Sequence, residues 1–393
     1  MNQTTRDQIL EWICLSAEVP YSSLFLIDAE KKTIQQTLYR LKSDKYIQIF
    51  DNGSYKTVRL FLLRRTNDGA SYEVIKYIEE NLGTEYVEYY LSQTNNHHFD
   101  GHIETVKRRM RGSEIIQLLK RANVQVIPWN MKWLSFAGDM QDAGATPCYF
   151  TAKQLNRTKR PDTARMSKDD AKKEFTRYYG LLLSKGGAYV VYNLDIGIDL
   201  WSSSGEIVTK RFMTNVARNN WDMPSYMKVD RWTQEISYEP DAIFIIRNDQ
   251  AALKILNGRS LKNLKQDTLT VHSKVHYIQL SESGIFQLWL LTQEDFHERL
   301  KRVFLFPEYV YPRGNRFDGF VDEQIKIILW FNGDLNRLRY IKELMNTNKY
   351  KFIILCFSFQ EAILHEYLNK SFETKIYDEE DIVNILDRTN AES

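Results

Sequence analysis

The chain is poor in cysteine and has no pair of them. Cys14, Cys148 and Cys356 are the only three among 393 residues, far apart and in no CxxC. That excludes a zinc ribbon or a disulfide framework and makes a reducing cytosol the expected compartment. Charge of one sign is also lacking: 53 Lys+Arg stand against 51 Asp+Glu, a formal net charge of +2. A chain basic throughout is excluded, but net charge averages over faces and leaves room for one basic module. There is no long apolar run. The longest stretches, such as Ile325–Phe331 and Ile353–Phe357, are strand-length and far short of a membrane span. The opening MNQTTRDQILEW lacks the basic-then-apolar order of a secretory signal. A cytoplasmic protein without a membrane partner is expected.

Nucleotide chemistry lacks its fingerprints. GxGxxG, GxxxxGK(S/T) and the nucleophile-elbow pattern GxSxG are all absent. What is present is enough apolar content for real cores, 43%, with an ordinary 26% charged. At about 150 residues per domain the length suggests two or three domains.

The most informative segment spans residues 5 to 65. TRDQILEWICLS (5–16) predicts an amphipathic helix packed on one side, and YSSLFLI (21–27) a two-turn helix or a strand. In Glu30–Asp44, Ile34, Leu38 and Leu41 fall at i, i+4 and i+7, one stripe of a helix. YIQIF and YKTVRL flank Asn52-Gly53, a strong hairpin signal because both turn positions tolerate positive φ. Helix, short helix, helix, hairpin is the order of a winged helix-turn-helix. TLYRLKSDKYIQI (37–49) resembles the end of the recognition helix and first wing strand of the multidrug-resistance and phenolic-acid repressor types.

With the apolar stripe buried, Lys32, Gln35, Gln36, Tyr39 and Arg40 face solvent. Gln pairs bidentately with adenine, Arg with guanine, and Lys neutralises phosphate. The hairpin adds Lys56 and Arg59. Over residues 30–65, Lys31, Lys32, Arg40, Lys42, Lys45, Lys56, Arg59, Arg64 and Arg65 oppose only Glu30, Asp44 and Asp51. Double-stranded DNA is the expected partner; the bland alternative is a winged helix that docks only protein.

Residues 71–96 and 102–127 predict helices broken or crossed at Gly83 and Gly112. Lys107, Arg108, Arg109, Arg111, Lys120 and Arg121 offer a second phosphate patch or a solvated face. His97, His98 and His102 beside Asp100 read as a loop, and no metal or cofactor is expected. Residues 150–174, polar and basic, read as a surface loop or linker. Beyond them, strands are expected at 178–193 (a hairpin), 206–212, 242–247, 275–280, 325–331 and 350–357, and helices at 249–256, 293–304, 335–346 and 359–369. Fully apolar strands alternating with helices imply an α/β domain whose sheet is buried on both faces.

The expected architecture is therefore α/β (α+β overall). It comprises a winged helix at 1–66, a helical connector at 67–150, a basic linker or loop at 151–174, and an α/β domain at 175–393. A restriction-endonuclease-type nuclease needs carboxylates and a lysine around Mg²⁺. Asp241 supplies a first acid, but Gln279 and Ser281 stand where an acid and a lysine are wanted, and Asp334 has no following lysine. Asp195, Asp199 and Glu206 are the remaining candidates. A catalytically silent version of that scaffold is expected, with a metal-dependent endonuclease or nickase as the alternative.

The arrangement resembles the replication-relaxation family of plasmid and conjugative-element proteins. The resemblance is carried by the N-terminal segment, SYEPDAIFIIR (237–247) and ILWFNGDLNRLRYIKELMNTNKYKFIILCFSFQEAILHEYL (328–368). It implies a sequence-specific DNA-binding accessory protein of a mobile element, and the missing acid-x-Lys element, rather than the resemblance, makes a non-enzyme the expectation. Such a protein acts in replication, relaxation and transfer, or their regulation, with a second copy, a relaxase or a replication protein as candidate partners.

Overall fold

The computed structural model describes residues 4–51, 53–61, 69–93, 103–126, 146–157, 178–194, 203–220, 228–229, 236–237, 239–258, 269, 271–311, 317–347, 349–369 and 371–391. The chain divides into two compact units, Met1–Trp133 and Leu134–Ser393, and is mixed α/β.

In the first unit, helix α1 (Thr5–Ser16) starts where the Thr4 hydroxyl accepts the Asp7 backbone N–H at 3.2 Å. The sequence predicts a helix packed on one side, but every residue from Ile9 to Ser16 is buried. The reason is enclosure: α2 (Lys31–Ser43), α4 (Thr84–Gln93) and α5 (Ile103–Arg121) all pack on it. Between α1 and α2 lie β1 (Val19–Pro20) and a 3₁₀ turn over Tyr21–Leu26. Strands β2 (Ile47–Asp51) and β3 (Lys56–Leu60) form the expected hairpin, in register from Ile47 opposite Leu60 to Asp51 opposite Lys56. β1 adds to the far side of β3, giving the order β1-β3-β2. That third strand is too short to show periodicity in the sequence.

Helix α3 (Gly69–Asn81) ends at Gly83, whose φ of 114° suits glycine, before α4 begins. α3, α4, α5 and the short β4 (Gln125–Val126) belong to the same compact unit as the hairpin. His97, His98, Asp100 and His102 lie outside the described residues.

The second unit opens with β5 (Cys148–Thr151) and α6 (Ala152–Arg157), which occupies the start of the expected linker; residues 158–177 lie outside the described set. β6 (Gly180–Ser184) and β7 (Gly187–Leu194) form the expected hairpin, and β5 pairs antiparallel with β6. Helix α7 (Ser203–Asn220) follows where the sequence suggests a strand at Glu206–Phe212. β-Branched residues there mimic a strand, but the buried positions are Glu206, Thr209 and Met213, a helical period. A two-residue pairing of β8 (Lys228–Val229) with β9 (Ile236–Ser237) precedes β10 (Asp241–Ile246). Helix α8 (Asp249–Leu256), capped by Asn248, then returns the chain to β11 (Val275–Gln279). β10 lies parallel between β7 and β11, so the order within this unit is β11-β10-β7-β6-β5. Every residue of β6, β7 and β10 is buried, as expected for a sheet covered on both faces.

Helices α9 (Glu282–Thr292) and α10 (Phe296–Phe304) replace the single helix expected at 293–304. α9 is buried almost all round, which erases its period in the sequence. β12 (Gly319–Phe320) pairs antiparallel with β13 (Ile325–Leu329). Helix α11 (Leu335–Asn346), β14 (Lys351–Phe357), α12 (Ser358–Leu368), β15 (Glu373–Tyr377) and α13 (Glu379–Ala391) complete the chain. β13, β14 and β15 are parallel neighbours, a second sheet where the sequence implies one. The turn after β13 ties the sheets together: the Tyr277 N–H donates to Gly333 O at 2.9 Å. Gly333 has φ of 63°, and a Cβ there would meet Tyr277 O at 2.7 Å, so glycine is required. Among the described residues no helix is long and apolar enough to cross a membrane.

All three cysteines are buried. Burial pushes the thiols of Cys148 and Cys356 up to about 12, and that of Cys14 higher still, with Glu11 adding to the effect. At pH 8 the folded chain should therefore give no thiolate reaction with Ellman's reagent, and all three thiols should titrate after denaturation. A thiol that titrates in the folded chain would contradict this burial.

Candidate nucleic-acid interface

Helix α2 buries Ile34, Leu38 and Leu41 against its own unit. Lys32, Gln35, Gln36, Tyr39 and Arg40 are all exposed, Tyr39 to 75%. Their spacing of i, i+3, i+4, i+7 and i+8 makes them one stripe opposite the buried one. Every side chain in it carries hydrogen-bond donors, and Arg40 in the last turn also suits the helix dipole. Lys31 and Lys42 flank the stripe and are exposed as well.

The hairpin follows α2 through Asp44–Tyr46, pinned where the Tyr46 N–H donates to Leu41 O at 2.8 Å. Lys56 is exposed at its tip, 3.9 Å from the Asp51 carboxylate and 4.4 Å above the Tyr21 ring. Arg59 does not join it. Its side chain is buried, and Nε and Nη2 donate to Glu18 Oε2 at 2.9 and 2.8 Å. Strand alternation separates Arg59 from Val58 but cannot reveal that both faces of β3 are covered. Arg64 and Arg65 lie outside the described residues. The exposed charge over 30–61 is thus six cations (Lys31, Lys32, Arg40, Lys42, Lys45, Lys56) against Glu30, Asp44 and Asp51. That is a weaker excess than the sequence count suggests.

Glu18 is a residue that sequence reasoning passes over. Its carboxylate is fully buried, and its other oxygen accepts Arg109 Nε from α5 at 2.6 Å. The basic run of α5 is turned inward at two further points: Lys120 Nζ lies 2.7 Å from Glu11, and Arg121 donates to Leu26 O. Three of its six cations thus hold the module together, while Lys107 and Arg108 are exposed. The signal available in the sequence is the pair of acids Glu11 and Glu18 inside an otherwise apolar stretch, since a buried carboxylate requires a cation.

The acids weighed for metal chemistry are spread out in the second unit. Asp241 begins β10 opposite Tyr189 of β7. Asp334 caps α11, its Oδ1 accepting the Asn336 N–H at 3.0 Å and the Val275 N–H at 3.3 Å. Ser281 caps α9, and Gln279 ends β11. Glu206 accepts the Tyr192 hydroxyl at 2.9 Å. Asp195 and Asp199 lie outside the described residues. Among the described residues no group of three His, Cys, Asp or Glu is placed to hold a metal ion. Burial holds the His276 imidazole below its ordinary value, so at neutral pH it packs uncharged with Nδ1 3.0 Å from Asn332 O. Asp318 behaves oppositely. Burial alone raises its carboxyl, but Arg337 and His297 beside it hold it well below the carboxylate range.

Glu18→Gln leaves Arg59 buried without its counter-charge and should destabilise the first unit by roughly 3 kcal/mol. Urea unfolding followed by circular dichroism measures this; a loss under about 1 kcal/mol, the range of an exposed pair, would reduce the cluster to a surface ornament. Comparison with family models, with curated proteins and with solved structures returns no match to the chain.

Proposed function

We propose that the first unit carries a winged helix-turn-helix whose α2 lies in the major groove of duplex DNA. On this reading the chain is a sequence-specific DNA-binding accessory protein of the replication-relaxation type, serving replication or transfer of a mobile element. The observation that carries the DNA assignment is the exposed stripe Lys32, Gln35, Gln36, Tyr39 and Arg40 on α2, set opposite Ile34, Leu38 and Leu41. Gln35, Gln36 and Arg40 have the donor and acceptor geometry to read base edges, while Lys32 and Lys56 neutralise phosphate. The three-stranded β1-β3-β2 sheet behind α2 supports the same reading, since a wing is a hairpin closed by a short strand from between the first two helices.

For the second unit we propose a nuclease-like scaffold without catalysis. The antiparallel run β5-β6-β7 followed by parallel β10 across helix α7 supports the scaffold. Asp334 and Ser281, engaged as helix caps, support a structural use of the residues at those positions. The protein then acts by positioning, bringing whatever the second unit binds to a chosen DNA site.

Fluorescence anisotropy on DNA from the protein's own locus, repeated across salt, tests the assignment. Lys32→Ala and Lys56→Ala should each weaken binding and lower the salt slope by about 0.9 per lost phosphate contact. Gln36→Ala should relax sequence preference while leaving the slope in place. Unchanged affinity and slope in all three variants would sink the assignment in favour of protein docking.

A further inference from the structure

Tyr39 sits mid-stripe on α2, among side chains that read base edges or neutralise phosphate, and so far has neither task. Its residue is 75% exposed, and among the described residues no ring, cation or hydrogen-bond partner lies against its side chain. Both faces of the ring are therefore open. Tyr46, Tyr55 and Tyr77 of the same unit are each held by a cation or another ring.

A phenol ring that enters the major groove with α2 loses its water. Laid against amino, carbonyl and ring-nitrogen edges, it would leave their hydrogen bonds unmade. The groove floor has one apolar group, the C5-methyl of thymine. Gln36 and Gln35 precede Tyr39 by three and four residues, on the same exposed face. That spacing is about 5 Å along the helix axis, and a base-pair step is about 3.4 Å. Ring and amides thus reach base pairs about one or two steps apart. Resting on the DNA reading above, we infer that Tyr39 is a specificity-determining residue that packs on a thymine C5-methyl. The site read by α2 then contains an A·T pair whose thymine faces Tyr39, beside or one step removed from the adenine paired by Gln35 or Gln36.

The test uses the full chain and the tightest-binding duplex recovered from a randomised pool, remade with deoxyuridine in place of one thymine at a time. At one thymine per bound copy of α2 the loss of the methyl should weaken binding about fourfold, the scale of burying one such group. Tyr39→Ala should bind the thymine and deoxyuridine duplexes alike, and Tyr39→Phe should keep the fourfold difference. Insensitivity of the wild-type chain at every thymine, or a difference that survives Tyr39→Ala, overturns the inference and leaves the duplex reading intact. A difference lost in Tyr39→Phe assigns the contact to the hydroxyl and overturns it as well. A pool from which the wild-type chain enriches no sequence overturns the sequence-specific DNA reading itself.

Discussion

Two guanidinium groups converge on one carboxylate inside the first unit, and the position of the hairpin depends on it. Glu18 follows directly on α1, Arg59 sits in β3 and Arg109 in α5, so three segments distant in sequence meet at a single charge. Ions moved out of water carry a desolvation cost that only tight geometry offsets. Here both carboxylate oxygens are engaged, and the surplus positive charge falls to Arg109, the less buried of the two cations. The cluster also explains why a hairpin of five-residue strands holds its angle to α2. Such a ribbon is marginal alone, and this one is anchored at Arg59 and closed on its far side by β1.

The same logic of borrowed support recurs in the second unit, where Asp318 accepts from Arg337, His297 and the Leu329 backbone N–H at 2.6–2.7 Å. Among the described residues, Glu18 and Asp318 mark joints between elements, and Asp334 caps a helix.

Helix bounds were legible wherever a capping residue preceded a clear period. Thr4, Asn248 and Asp334 each cap a helix whose limits the sequence defines to the residue. The exposed stripe of α2 was legible for the same reason, since one apolar stripe defines its opposite. Elements without contrast were not legible. α9 is apolar on nearly every side, β1 has two residues, and α7 carries Ile207 and Val208 at positions that suggest a strand. Arg59 failed for a different reason. Local alternation assigns it a face, but the partner that covers that face, Glu18, lies 41 residues away in the chain. Long-range charge pairing leaves no local period.

The turn Asn332–Asp334 covers an edge that would otherwise be open. It lies along β11, where Val275, His276 and Tyr277 all bond to it, and β11 is the terminal strand of its sheet. Without that turn, a buried-type strand would present bare amides and carbonyls, a template for pairing with another chain. Asp334 follows Val275 by 59 residues. In the folded chain the C-terminal βαβ segment thus acts as an intramolecular guard on that rim.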